Sequence, residues 1–249
     1  MIQKLLLIVS IFFAVGVSAQ KKIVPSPQQK KPATTVAAKA APATTIARPK
    51  STERLIEITT DYGKMIAKLY DSTPQHRDNF IKLVKSGFYD SLLFHRVING
   101  FMIQGGDPTS RNATDSTMLG AGEAPGGGRI PAEFRSNFYH KKGALAAARD
   151  NNPEKASSNC QFYIVQGKKA DSAQLAQSIG QPGANNARYT RAQREVYQRL
   201  GGTPYLDQNY TVFGEVISGL DVIDKIAAEP TRPGDRPARN IKMTIRLLN

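Results

Sequence analysis

The chain has 249 residues, of which 40% are apolar and 22% are charged, a composition typical of a soluble globular protein with one substantial domain or two small ones. Residues 1–50 contain eight Lys or Arg and no Asp or Glu, so they carry more than half of the formal net charge of +14. The single cysteine, Cys160, excludes an internal disulfide, and its apolar surroundings in the sequence favour a small buried hydrophobe over a nucleophile. His76, His95 and His140 lack the spacing of metal ligands, so the sequence predicts neither a metal nor another cofactor.

The first 19 residues have the pattern of a secretory signal peptide. One early lysine precedes an apolar run over residues 5–15, and Val17-Ser18-Ala19 is a small-x-small cleavage pattern, so we expect cleavage before Gln20. The apolar run is shorter than the roughly 18 residues of a membrane-spanning helix, which makes an uncleaved anchor the less favoured alternative.

Residues 20–52 form a second segment, rich in Lys, Pro, Ala and Thr. Because large apolar side chains are scarce, burial cannot offset the entropy lost on ordering, and we predict a disordered basic linker. Its positive charge could bring it into contact with an anionic membrane surface. We prefer a solvated linker and expect no nucleic-acid partner, because the charge density is modest and aromatic residues are not interleaved with it.

Residues 53–249 have the pattern of one compact domain. RLIEITT and GKMIAKLY alternate apolar and polar residues around Asp61-Tyr62-Gly63 and predict a β-hairpin. Thr73 and Pro74 predict the start of a helix, with Thr73 as its N-cap, and Gly87 predicts its end. Further elements are expected as strands over residues 143–149, 161–167, 210–219 and 241–248, and as a helix over residues 220–228.

Residues 168–203 interrupt this strand-rich order. Their apolar side chains fall at helical spacings, and QPGANNA divides them, so we predict an inserted pair of short helices. Outside this insertion the sequence predicts many antiparallel strands and only two helices. That balance favours a closed β-barrel, which leaves no exposed sheet edge.

Residues 92–109, LLFHRVINGFMIQGGDPT, are the most distinctive part of the chain. They predict a strand, a turn at Gly100 and a second short strand that ends at paired glycines and a proline. This arrangement would place a cationic fork beside an apolar patch on one surface, made by Arg96, Phe101, Met102 and Gln104.

This stretch resembles the signature of the cyclophilins, the peptidyl-prolyl cis-trans isomerases, whose pattern reads much like FHRxIxGFMxQGGD. The resemblance continues in order through QFYI and YLDQNYTVFG and covers residues 53–249, with the helical insertion as its one interruption. It implies a mainly β fold, a closed eight-stranded antiparallel barrel capped by two helices. It also implies rotation about X–Pro peptide bonds as the activity, a reaction that needs no cofactor.

The resemblance further implies the residues that do this chemistry. Arg96 matches the catalytic arginine, and Gln104 matches the glutamine that orients this arginine and the substrate. The implied substrate-binding positions are Phe101, Met102, Ala148, Arg149, Gln161, Tyr163, Tyr205, Leu206 and Tyr210.

Several of these positions depart from the family pattern. The family's Met-Ala-Asn-Ala-like segment is here AARD, and Arg149 would make the neighbouring subsite charged. Tyr163 stands where Phe is more common, and Tyr210 stands where some members have His. Tyr205 occupies the position of a Trp in cyclosporin-sensitive relatives, so we expect weakened cyclosporin binding without loss of isomerase activity.

The sequence therefore predicts an exported, bacterial-type cyclophilin, periplasmic and monomeric, whose partners are proline-containing polypeptides that are unfolded or folding. The alternative is a chaperone module that binds proline peptides in the same groove without turnover, although a pure binder would not need Arg96. A polyanion-binding protein driven by the basic linker is less favoured. A hydrolase is weaker still, because neither a Ser/His/Asp set nor paired carboxylates stand out near the groove.

Overall fold

The computed structural model describes residues 53–180 and 189–248, so the predicted signal peptide, the predicted linker and the QPGANNA break lie outside the described residues. Within those ranges the strands are β1 (Leu55–Thr60), β2 (Gly63–Leu69), β3 (Phe94–Ile98), β4 (Met102–Gly105), β5 (Arg129–Ile130), β6 (Ala144–Ala147), β7 (Ser157–Ser158), β8 (Phe162–Val165), β9 (Val212–Ser218), β10 (Thr231–Arg232), β11 (Arg236–Pro237) and β12 (Thr244–Leu248). The α-helices are α1 (Pro74–Lys85), α2 (Ser172–Gly180), α3 (Arg191–Arg199) and α4 (Leu220–Ala227). None of the helices in this part of the chain is long and apolar enough to cross a membrane.

Eight of the strands form one antiparallel sheet in the order β12-β1-β2-β9-β6-β8-β4-β3, which confirms the predicted strand number and direction. The sheet curls so strongly that its two ends meet just before β3 and β12. Leu93 pairs there with Lys242, and the N–H of Phe94 donates to the carbonyl of Ile241 over 2.9 Å. These contacts satisfy backbone groups that an open edge would leave exposed.

The two faces of the sheet form two separate apolar clusters, because successive side chains on a strand point to opposite sides. Ile103 and Ile164 point into the main core. Their chain neighbours Met102 and Tyr163 point outward into a second cluster, which carries the functional site.

Helices α1 and α4 complete the main core, as predicted for the two capping helices. Phe80 and Leu83 of α1 and Ile223 and Ile226 of α4 are buried in the same cluster as the inward-facing strand residues. Burying each side chain of this size stabilises the fold by about 1.5–3 kcal/mol.

Thr73 occupies the N-cap position of α1, as predicted, but its side chain does not cap the helix. Thr73 precedes the helix, but its hydroxyl donates to the carbonyl of Tyr70 over 3.2 Å instead of accepting from a helix amide. The cap is supplied by Glu133, whose carboxylate accepts the N–H groups of Gln75 and His76 over 3.2 and 3.0 Å. A negative charge at this end of a helix is also favourable for the helix dipole.

The insertion contains α2 and α3, as predicted, and has a small apolar cluster of its own. Leu175, Tyr189 and Tyr197 are buried in it, together with Ala170. Helix α3 begins with a capping box in which Thr190 and Gln193 satisfy each other's backbone amides. The cluster is separate from the barrel core, so the insertion packs beside the barrel.

Candidate active site

The site is built on one row of cross-strand neighbours on the outer face of the sheet. Arg96 on β3 lies opposite Gln104 on β4, Gln104 lies opposite Tyr163 on β8, and Tyr163 lies opposite Ala146 on β6. Because opposed residues in an antiparallel pair point to the same face, the register alone brings the arginine, the glutamine and the tyrosine together.

A cavity of about 490 Å³ opens over this row. Nine of the eleven predicted site residues line it, namely Arg96, Phe101, Met102, Gln104, Ala148, Arg149, Tyr163, Leu206 and Tyr210. The remaining two lie elsewhere. Gln161 lines a neighbouring cavity of about 350 Å³, and Tyr205 lies 46% exposed with its ring 6.0 Å from that of Phe101.

The arginine is held at the edge of the main cavity by two side chains. Arg96 Nε donates to Asp235 Oδ2 over 3.2 Å, and Arg96 Nη1 donates to Gln104 Oε1 over 3.4 Å. Its side chain is still 41% exposed, so the guanidinium is oriented and also open to a ligand.

A chain of amides continues from this arginine and fixes the orientation of both glutamines. Gln104 Nε2 donates to Gln161 Oε1 over 3.2 Å, and Gln161 Nε2 donates to the carbonyls of Gly120 and Gly122 over 2.9 and 3.1 Å. Since each amide oxygen accepts from the preceding residue, Gln104 presents its oxygen to Arg96. Gln161 therefore acts on the main cavity through Gln104.

The opposite side of the cavity is apolar and aromatic. Met102 is almost completely buried on β4, and Phe101 lies in the turn that Gly100 makes with φ +75°. The rings of Tyr163 and Tyr210 meet edge-on, with centroids 6.0 Å apart. This geometry is favourable for aromatic pairs and gives the cavity a flat, rigid wall.

Arg149 brings a second positive charge to the cavity. Its guanidinium lies 4.5 Å from the ring centroid of Tyr210, its Nε donates to the carbonyl of Asn209 over 2.9 Å, and its Nη1 donates to the carbonyl of Asp150 over 2.8 Å. Arg149 and Ala148 line both cavities, as do Gln104 and Gly120.

The structure adds residues that the sequence did not indicate. His95 and a segment over residues 115–120 also line the main cavity. Burial lowers the pKa of His95 to about 4, and neither of its ring nitrogens has a hydrogen-bond partner among the described residues. No sequence pattern indicated the segment, because a run rich in Gly, Ser and Thr has no periodicity that would place it against a strand.

The protonation state of Tyr163 suits a site without acid–base chemistry. Burial raises the pKa of the Tyr163 phenol far above its usual range, so this group stays neutral. Among the described residues, no three His, Cys, Asp or Glu side chains are grouped to hold a metal ion. What the site offers is a fixed cation beside an apolar recess.

Comparison with known proteins agrees with this geometry. Residues 55–246 match the family model described as cyclophilin type peptidyl-prolyl cis-trans isomerase/CLD. A Staphylococcus aureus (strain COL) protein named as a candidate peptidyl-prolyl cis-trans isomerase is 37% identical over 183 residues, which cover 73% of this chain and 85% of that protein. A Staphylococcus haemolyticus protein with the same description is 35% identical over 187 residues, which cover 75% of this chain and 86% of that protein.

Among solved structures, a crystal structure of a Cryptosporidium parvum cyclophilin type peptidyl-prolyl cis-trans isomerase is similar to this chain with a TM-score of 0.57 and 25% identity. The match covers 79% of this chain and 98% of that one. It confirms the predicted eight-stranded fold. The chain therefore belongs to the cyclophilins and is a peptidyl-prolyl cis-trans isomerase that acts on proline-containing peptides.

Proposed function

We propose that Arg96 is the catalytic residue of this isomerase and that Gln104 holds it in place. The observation that carries the proposal is the fixed but open guanidinium at the edge of the apolar recess. An arginine has five N–H groups, and the hydrogen bonds made to described residues use only two of them. The others are available to a substrate.

The reaction needs selective affinity for a twisted amide. Rotation about an X–Pro bond breaks amide resonance, which sets a barrier of about 18–20 kcal/mol. In the twisted state the proline nitrogen becomes pyramidal and gains a lone pair, which the Arg96 guanidinium can meet with a hydrogen bond. Because the planar amide offers this acceptor poorly, the interaction is stronger in the transition state than in the ground state, as catalysis requires.

The apolar wall has the complementary task of holding the proline ring while the preceding carbonyl rotates. Phe101, Met102 and Leu206 provide apolar surface for the ring, and Tyr163 and Tyr210 provide a flat aromatic side. An acceleration of about 10⁵ would need about 7 kcal/mol of differential stabilisation. One charge-assisted hydrogen bond from Arg96 supplies only a part of this differential stabilisation, whereas the wall binds the proline ring in both states.

The direct test is cis-to-trans relaxation of a short X–Pro peptide with parent enzyme and with Arg96→Ala and Arg96→Lys. We expect kcat/KM to fall by about 100-fold or more in Arg96→Ala, and Arg96→Lys to restore little, because a lysine lacks the planar fork. Arg246→Ala is a matched control, since Arg246 also pairs with an aspartate, Asp90, but lies outside the cavity. Parental activity in Arg96→Ala would refute the assignment.

We further propose that this isomerase is a bacterial protein exported to the periplasm, where it acts on proteins that fold outside the cytoplasm. Support for export comes from the apolar run and cleavage pattern in residues 1–19. The bacterial assignment rests on the resemblance of the YTVFGEVI segment, Tyr210 and the helical insertion to bacterial members of the family. Expression of the full chain in a Gram-negative host, followed by fractionation and mass spectrometry, should give a periplasmic protein that begins at Gln20. Replacement of Ala19 by Arg should block this processing, whereas a cytoplasmic product with an intact first residue would contradict the proposal.

A further inference from the structure

Four buried polar side chains connect the helical insertion to the wall of the proline pocket. Tyr197 on α3 donates from its hydroxyl to Asp207 Oδ2 over 2.6 Å, and Asp207 Oδ1 lies 2.7 Å from His140 Nδ1. His140 Nε2 lies 2.9 Å from the hydroxyl of Tyr163, whose ring lines the cavity. The four side chains belong to residues that are at least 95% buried, so water does not compete for these hydrogen bonds.

The direction of each hydrogen bond in this series follows from the chemistry of the groups that donate and accept it. A carboxylate only accepts, so His140 Nδ1 donates to Asp207, which also accepts the backbone N–H of His140 over 2.7 Å. In the neutral imidazole, Nε2 is then an acceptor for the Tyr163 hydroxyl. Burial raises the pKa of both Tyr163 and Tyr197 far above the usual range, which keeps both phenols protonated as donors.

The same insertion also supports a second part of the pocket wall. Leu206 lies in the short 3₁₀ helix Pro204–Leu206, which directly precedes Asp207. Tyr189, just before α3, donates from its hydroxyl to the carbonyl of Pro204 over 2.9 Å. Two pocket residues, Tyr163 and Leu206, are thus tied to the insertion by different hydrogen bonds.

The C-terminal end of the insertion packs closely against His140, the residue in the middle of this series of hydrogen bonds. A Cβ on Gly202 would lie 2.3 Å from the carbonyl oxygen of His140 and 2.6 Å from the ring of Tyr197. Gly202 also forms bridges with Lys141 and Lys168. Such contacts leave little freedom for the insertion to shift relative to His140.

We propose that the insertion sets the position of the proline-pocket wall, with Tyr197, Asp207 and His140 as positioning residues that act through Tyr163. This inference rests on the proposed function of the pocket and adds to it a role for residues 168–203. Since these residues hold the wall and do not reach the Arg96 guanidinium, their loss weakens substrate binding and leaves the rotation step largely intact. The signature of the proposal is therefore an increase in KM with little change in kcat.

The decisive variants remove single hydroxyl groups. In Tyr197→Phe we expect KM for an alanyl-proline peptide to rise about fivefold with kcat within twofold, since a hydrogen bond to a buried charge is lost. Tyr139→Phe is the matched control, because the ring centroid of Tyr139 lies 5.4 Å from that of Tyr197 while Tyr139 takes no part in this series of hydrogen bonds. A folded Tyr197→Phe enzyme with parental KM, or one whose activity falls only in proportion to its folded fraction, would overturn the proposal.

Coupling between the side chains of this hydrogen-bond series can be tested by combining Tyr197→Phe with Tyr163→Phe. The second substitution keeps the ring of Tyr163 and removes its hydroxyl. If both act through His140, the KM of the double variant should equal that of the more affected single variant. If the increase in KM of the double variant equals the product of the two single increases, the two tyrosines act independently, contrary to the proposal.

A measurement on the parent enzyme covers the case in which a variant fails to fold. The ¹⁵N resonance of His140 Nε2 should shift when an alanyl-proline peptide saturates the pocket, because the substrate contacts the ring of its partner Tyr163. An unchanged resonance at saturation would overturn the proposed connection. Loss of Arg96 should lower kcat instead, so failure of this inference and failure of the catalytic assignment give different results.

Discussion

Arg96 on β3 is bonded to Asp235, which lies 139 positions further along the chain, through a hydrogen bond of 3.2 Å from Nε to Oδ2. Asp235 adopts φ +61°, a left-handed conformation that few non-glycine residues tolerate, and its own carbonyl accepts the N–H of Val97 over 2.8 Å. The backbone contact and the side-chain contact reach consecutive residues of β3. Asp235 is therefore fixed against the same strand whose arginine it orients.

Replacement of Asp235 by glycine should lower kcat without unfolding the protein. Glycine accepts φ +61° more readily than aspartate does, so only the carboxylate is lost and Arg96 gains freedom. We expect kcat to fall by about tenfold in X–Pro relaxation, with the thermal midpoint unchanged or slightly raised. Asp235→Asn separates the two contributions of the side chain, because it keeps an acceptor oxygen and loses the charge. Parental kcat in Asp235→Gly would show that Gln104 alone suffices to hold Arg96.

Arg149 is expected to give the enzyme a preference for acidic substrates. The described residues that line the main cavity include three arginines, Arg96, Arg149 and Arg236, against one carboxylate, that of Asp115. A peptide with Glu on the N-terminal side of the proline should therefore have a higher kcat/KM than the same peptide with Lys, and added salt should reduce the ratio.

The preference should depend on Arg149 in particular. Arg149→Gln is expected to lower the Glu-to-Lys ratio by about fivefold, while Arg129→Gln, which removes a charge from the second cavity only, should change it less. If the Glu-to-Lys ratio of kcat/KM were the same in the parent and in Arg149→Gln, the preference for acidic peptides would come from the other arginines.

Tyr205 is expected to limit cyclosporin binding without taking part in catalysis. It does not line the main cavity, and its exposed ring lies beside Phe101. Tyr205→Trp should therefore strengthen inhibition by cyclosporin and leave peptide turnover within about twofold of the parent. Inhibition assays on both proteins test this, and an unchanged inhibition constant would show that other residues set the sensitivity.

Nine of the eleven residues that the family resemblance implied for the site line the main cavity, and strand pattern accounts only for those of the signature segment. Alternation along a strand places Met102 and Gln104 on one face, and the pairing of β3 with β4 places Arg96 opposite Gln104. Asp235 and the Glu133 cap could not be predicted in this way. Each acts on a residue far along the chain, and a single carboxylate has no periodicity that reveals its partner.

The insertion illustrates the same limit. Helical spacing predicted α2 and α3, but no pattern indicated that Tyr197 would reach Asp207 and, through it, His140 and the pocket.

His95, next to Arg96 in the signature, could have been suspected from its position. Its burial without a partner is a property of the folded state alone.

His95 should make the stability of the fold decrease in mild acid. Burial lowers its pKa from 6.5 to about 4, so the unfolded chain binds a proton below about pH 6.5 that the folded protein does not take up until about pH 4. The free energy of unfolding is therefore unaffected by His95 above neutral pH and decreases as the pH falls from about 6.5 to about 4. The loss attributable to His95 amounts to about 3 kcal/mol, because each pKa unit corresponds to about 1.4 kcal/mol.

Urea unfolding of parent and His95→Gln at pH 7, 5.5 and 4 tests this prediction. Other groups also titrate in this range, including His76, whose pKa is lowered by burial, but they are common to both proteins. The free energy of unfolding of the parent should consequently fall by about 3 kcal/mol more than that of the variant between pH 7 and pH 4, with most of the difference present by pH 4.5. Parallel pH profiles would mean that His95 is protonated in the folded protein at an ordinary pKa, which would require water or a neighbouring carboxylate to reach its ring.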